Sequence, residues 1–180
     1  MKKILFAASM LIAVSQINAQ AVNQNAVKLN PLSLAFATGN VSYERAVNAN
    51  QSVQLGVFYS ALNFSGLKYS GYGITPEYRF YFAGAKEALN GVYAAPFARY
   101  QNFSLTDKET SDKTTFSTIG GGATIGWQKM WTSGFVLDIF AGPSFSNAKF
   151  KSDGDEDNYD LSFGMNGFGI RTGITVGFGF

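Results

Sequence analysis

From about residue 26 onward the chain keeps a single period: apolar side chains alternate with small or polar ones at every second position. That spacing sends successive side chains to opposite faces of an extended strand and does not match the 3.6-residue repeat of an amphipathic helix. Eight such runs stand out, at about 26–37, 40–47, 51–64, 70–83, 91–105, 114–131, 134–148 and 163–180. In the last, Phe168, Ile170, Ile174, Val176, Phe178 and Phe180 share one face, and only Thr172 interrupts it; Gly169, Arg171, Gly173, Thr175, Gly177 and Gly179 share the other. The run 70–83 repeats the pattern, with Ile74, Pro76, Tyr78, Phe80 and Phe82 against Gly73, Thr75, Glu77, Arg79 and Tyr81. Pro31, Pro76, Pro96 and Pro143 each remove a ladder donor, so bulges or local unpairing are predicted there.

The links between runs alternate in length. Links two, four and six are "NANQ", "GAKEALN" and "TS"; links one, three, five and seven are "TG", "SGLKY", "TDKETSDK" and "KSDGDEDNYDL". In an antiparallel meander these two sets lie on opposite rims, so one rim carries short turns and the other long polar loops. This is the layout of an outer-membrane barrel, although "GAKEALN" is long for its rim and "TG" short.

Alternation alone does not separate a membrane barrel from a soluble one of lipocalin type, in which the apolar face points inward. Charge separates them. A soluble surface needs roughly a quarter to a third charged residues, whereas this chain has 14%. About half of those charges fall in "DKETSDK" and between Lys149 and Asp160. Of the charges left inside the runs, Glu44, Glu77, Arg79, Arg99, Asp138 and Arg171 are singled out because they lie on the glycine- and threonine-rich face. At ~3.3 Å per residue and about 40° of tilt they fall in a band roughly 10–13 Å tall. Three acids and three bases at one level of a narrow lumen predict a set of structural ion pairs filling it. A proton or ion path through the same groups is the functional alternative. Aromatic residues gather at both ends of the runs: Tyr43, Phe82, Trp131, Phe135 and Phe178 near the short turns, and Phe64, Tyr72, Tyr100, Phe145 and Phe168 near the long loops. Two interfacial girdles have this form. The fold class predicted is therefore all-β: an eight-stranded antiparallel up-and-down transmembrane β-barrel over residues 20–180.

Residues 1–19 read as a cleaved secretory signal: Lys2 and Lys3, an apolar run from Ile4 to Val14, and cleavage after Ala19, with Ile17 and Ala19 as the cleavage-site residues. The alternative is a buried N-terminal helix. Loss of the two lysines leaves twelve bases against twelve acids, so the mature chain has no basic field for nucleic acid or a polybasic membrane contact. With no cysteine there is neither a disulfide framework nor a lipid-anchored thiol.

The same inventory narrows the chemistry. The chain has no histidine, which removes Ser–His hydrolysis and histidine-based metal sites. Glu77 and Asp138 have the groups for acid–base work, but neighbouring arginines favour a structural role. "IGGGATIG" lacks the lysine and helix start of a phosphate loop. Its triple glycine, residues 120–122, is expected to relieve crowding opposite Phe58, Phe97 and Phe140, or else to leave a slot for a small apolar ligand. "DGDEDN" lacks the tight-turn glycine and the closing glutamate of a calcium loop. No catalytic, cofactor or metal residues are assigned.

With the leader, the eight runs and the final Phe180 in place, the chain resembles small outer-membrane barrels of the OmpA-type transmembrane class. More closely, "NAVKLNPLSLAFATGNVSYERAV", "GYGITPEYRFYF" and "APFARYQNFS" are similar to an uncharacterised family of short outer-membrane barrels of Bacteroidetes. The resemblance implies no activity, and, unlike full OmpA-type proteins, the barrel is not expected to carry a peptidoglycan-binding domain after it. It implies export to the bacterial outer membrane, lipid and lipopolysaccharide as surroundings, and contact with the barrel-assembly machinery through Val176, Phe178 and Phe180, whose spacing resembles that machinery's client signal. The predicted function is a non-enzymatic, monomeric outer-membrane barrel with an ion-pair-plugged lumen, serving envelope integrity or surface contact. The alternative is binding or passage of small hydrophobic molecules, as in OmpW-like barrels. A catalytic barrel and a soluble ligand-binding barrel rank behind these.

Overall fold

The computed structural model describes residues 24–64, 67–107, 113–152 and 167–180. The segment read as a leader, and the acidic stretch "DGDEDN" with its calcium-loop question, lie outside the described residues. Eight strands close into one antiparallel up-and-down barrel: β1 (Asn25–Leu29), β2 (Thr38–Asn48), β3 (Gln51–Phe64), β4 (Leu67–Glu87), β5 (Asn90–Asp107), β6 (Lys113–Met130), β7 (Phe135–Ser152) and β8 (Gly167–Gly179). Closure is made by β1 against β8, with Ala26 opposite Gly179 and Leu29 opposite Val176.

The polarity of the wall is inverted relative to a soluble barrel. Ile125 and Ile170 are 64% and 74% exposed on the outer face, while Lys28, Glu44, Arg79 and Asp138 are 0% exposed in the lumen. Alternation causes this directly. In β4, Ile74, Pro76, Phe80 and Phe82 point out, and Gly73, Thr75, Glu77, Arg79 and Tyr81 point in.

Three local features differ from the sequence reading. The first run stops as a strand at Leu29 rather than at residue 37. Asn30 caps a short helix, α1 (Pro31–Leu34), its Oδ1 accepting from the Leu32 and Ser33 amides, with Pro31 at the first helical position where no donor is needed. "GAKEALN" is mostly strand: β4 continues to Glu87 through two register shifts, and Ala88 and Leu89 alone make the turn. The short-turn rim is thus more regular than expected.

Pro76, Pro96 and Pro143 cause unpairing without bulges, whereas Pro31 opens the short helix. The β4–β5 register breaks off beside Pro76 and Pro96 and resumes unshifted at Glu77–Phe97 and Phe80–Ala94. Of the three aromatics expected opposite the triple glycine, Phe97 is there, registered against Gly122, and the glycines serve close backbone approach. A Cβ on Gly121 would meet the Phe97 carbonyl, and one on Gly122 the Pro143 carbonyl and Ser144 Cα. Phe58 and Phe140 instead lie over Gly73 and Gly173. The slot beside Gly120 and Gly121 is only about 30 Å³, room for about one water.

Candidate functional site

The lumen holds two polar layers. In the lower one, near the short turns, Lys28 Nζ donates to Glu44 Oε2 (2.5 Å), Gln128 Oε1 (2.6 Å) and Asp138 Oδ2 (2.9 Å), so all three ammonium protons are used. Arg79 Nη1 reaches the same three acceptors: Asp138 Oδ2 at 2.8 Å, Gln128 Oε1 at 3.0 Å and Glu44 Oε2 at 3.3 Å. The outer oxygens are satisfied from the wall. Tyr81 and Ser52 hydroxyls donate to Glu44 Oε1, and the Tyr93 hydroxyl donates to Asp138 Oδ1. Arg79 also lies over the Tyr93 ring, 4.3 Å from its centroid. These groups come from β1, β2, β3, β4, β5, β6 and β7, so the cluster ties together strands that are not neighbours. Beneath it the β4–β5 turn closes the lumen: Leu89 is buried, and its carbonyl accepts from Gln128 Nε2 at 3.1 Å.

The upper layer is thinner. Arg171 Nη2 crosses from β8 to donate to Glu77 Oε1 at 2.5 Å, and Gln54 Nε2 donates to the same oxygen at 2.9 Å. Arg79 Nη2 bonds Glu77 Oε2 at 3.4 Å and joins the two layers. The Arg171 guanidinium lies over the Phe97 and Phe140 rings, 4.5 and 4.6 Å from their centroids. Above lies a cavity of about 460 Å³, lined by Gln54, Glu77, Arg99, Arg171 and Thr175 among polar residues and by Phe58, Tyr69 and Phe103 among aromatic ones.

All six charges singled out in the sequence face the lumen, but they do not form the balanced set expected. Lys28 belongs to the cluster as well, so there are four bases to three acids. Arg99 makes no ion pair among the described residues; its Nε contacts Thr75 Oγ1 at 3.4 Å. Lys28 carried a usable signal, since it sits between Val27 and Leu29 on the polar parity of "NAVKLN". Tyr81 and Tyr93 were obscured by being aromatic. Phe178 and Phe180 lie exposed on the outer face, and Val176 is half-buried beside Leu29. Among the described residues no group of three or more His, Cys, Asp or Glu is arranged to hold a metal.

A family model described as "Protein of unknown function (DUF3575)" matches residues 5–161. The chain belongs to this DUF3575 family. Its description assigns no activity, and no curated protein and no solved structure matches the chain. The match runs through β1 to β7 and stops before β8, the strand that supplies Arg171.

Proposed function

We propose that this DUF3575 chain is a non-enzymatic integral barrel of the bacterial outer membrane, exported by its leader, with a lumen closed by ion pairs, acting in envelope integrity or surface contact. The observation that carries the reading is the inverted wall: a continuous belt of exposed Val, Leu, Ile and aromatic side chains around a lumen of buried charge. Monomeric soluble proteins rarely expose contiguous apolar patches beyond a few hundred Å². Lipid solvates such a belt, and a closed barrel leaves no unpaired backbone edge within it. Exposed Phe135, Trp131 and Phe178 at one rim and Tyr72, Phe145 and Phe168 toward the other suit two interfaces. Phe178 and Phe180 on the outer face are accessible to assembly machinery.

Fractionation tests this. The chain is expected in outer-membrane fractions, extracted only with detergent, and migrating faster unboiled than boiled on a denaturing gel. Recovery in the periplasmic soluble fraction without detergent overturns it. The upper cavity favours a second reading, binding of small molecules. The lower ion-pair layer and Leu89 stand against passage.

A further inference from the structure

The surplus positive charge of the lumen is concentrated at one end. Lys28 and Arg79 are matched within the lower layer by Glu44 and Asp138. Arg99 and Arg171, above, have only Glu77, which is already bonded by Arg79 and Gln54. The Arg171 side chain is 9% exposed. It spends Nη2 on Glu77, while Nε and Nη1 have no partner; the buried Thr175 hydroxyl has none either. A buried donor without an acceptor is destabilising, and this one is packed against two rings, Phe97 at 4.5 Å and Phe140 at 4.6 Å from the guanidinium carbon.

Arg99, Arg171 and Thr175 all line the cavity of about 460 Å³, a size within the roughly 300–1,000 Å³ of small-molecule sites. Its upper wall is a ring cluster: Phe103 lies 5.9 Å from Phe58 and 5.5 Å from Tyr69, centroid to centroid. Unmatched cationic donors at the floor and stacked aromatic faces on the wall define a ligand with charge at one end and a flat apolar body at the other.

We infer that the upper lumen is a binding site for a small organic anion of this kind, of which an aromatic carboxylate is the simplest. The carboxylate accepts from Arg171, Arg99 and the Thr175 hydroxyl, and its ring packs against Phe58 and Phe103. Glu77 faces the same cavity, but Arg79 and Arg171 flank it, so the floor stays positive. The inference rests on the plugged-lumen reading for its floor and does not depend on the compartment.

The test is calorimetric titration of the full chain, folded in an uncharged maltoside detergent, with benzoate, benzyl alcohol and acetate. Benzoate is expected to bind saturably at one site, at least tenfold tighter than the alcohol, which lacks the charge, or acetate, which lacks the ring. Arg99→Gln removes a cation that holds no ion pair, so the barrel is expected to stay heat-modifiable while benzoate affinity falls at least tenfold. Thr175→Val, nearly isosteric, is expected to weaken benzoate severalfold. Equal affinity for benzoate and benzyl alcohol, equal affinity for benzoate and acetate, an unchanged Arg99→Gln, or no saturable benzoate binding each overturns the site. Heat-modifiable migration of the same samples separates the readings: a folded barrel that ignores benzoate refutes the anion site alone.

Discussion

At the scale of single residues the lumen is set by parity, and Lys28 shows both the strength and the limit of reading it. Alternation assigns every side chain an inside or an outside without knowledge of the partner strands. Which inward groups meet depends on register and on the barrel's diameter, and those come only from the closed structure. Lys28 has the parity of a lumen residue yet sits in a short strand ending at Leu29, so its membership rests on closure by β1. Arg99 has the same parity as Arg79 but sits higher in β5, opposite Gly120, and finds no acid. Lys28→Met is therefore expected to leave Glu44 and Asp138 facing Arg79 alone and to destabilise the barrel by about 3–5 kcal/mol, read from urea unfolding in lipid vesicles. Adding Glu44→Gln to Lys28→Met is expected to cost less than the two changes separately, since each removes the other's partner. Additive losses would mean that the short contacts between them carry no coupling.

At the scale of elements, the strands were legible and their ends were not. Over the described residues seven of the eight runs match their strands with ends moved by a few residues, because the two-residue period persists through them; the opening of the last run, 163–166, lies outside the described residues. The exception is the first run, where Asn30 before Pro31 was the overlooked sign of a capped helical turn. The β4–β5 turn was illegible for another reason: Leu89 takes φ 69 in a place where glycine or asparagine is the usual marker. These ends matter most at the β1–β8 seam, since β1 has only five residues and offers β8 four registered pairs. Gly177 lies at this seam, and a Cβ there would meet the Val27 carbonyl and Lys28 Cα, backbone atoms with no rotamer to yield. Gly177→Ala is expected to lower the boiling threshold for loss of the fast gel band, while Gly169→Ala, where the Cβ meets only the Ser144 hydroxyl at 3.3 Å, leaves it nearly unchanged. Conversely, Val27→Cys with Phe178→Cys, registered opposite each other in a chain without native cysteine, is expected to form a disulfide that raises that threshold. Equal thresholds for both glycine variants would show that the seam does not limit stability.

At the scale of the whole molecule, the arrangement is a cup rather than a tube. The upper lumen is open space lined by arginine and aromatic rings, whereas the lower lumen is filled by side chains from seven strands with Leu89 beneath them. Eight strands leave an interior just wide enough for side chains to fill, so a continuous water path needs both obstructions removed. The intact protein is accordingly expected to give no nanosiemens-scale steps in planar bilayers. Arg79→Ala alone is expected to leave it silent, because Lys28 still bridges Glu44 and Asp138 and Leu89 still closes the lower end. Arg79→Ala combined with Lys28→Ala and Leu89→Gly is expected to admit ions in brief, irregular steps, provided that gel migration shows the barrel still closed. Steady conductance from the unaltered chain would place the pathway through the charged layer itself, and the ion pairs would then be a gate rather than a filling. Silence in both the intact and the triply altered barrel would mean that the strands collapse inward when the charges go, making the cluster a spacer that holds the cup open from below.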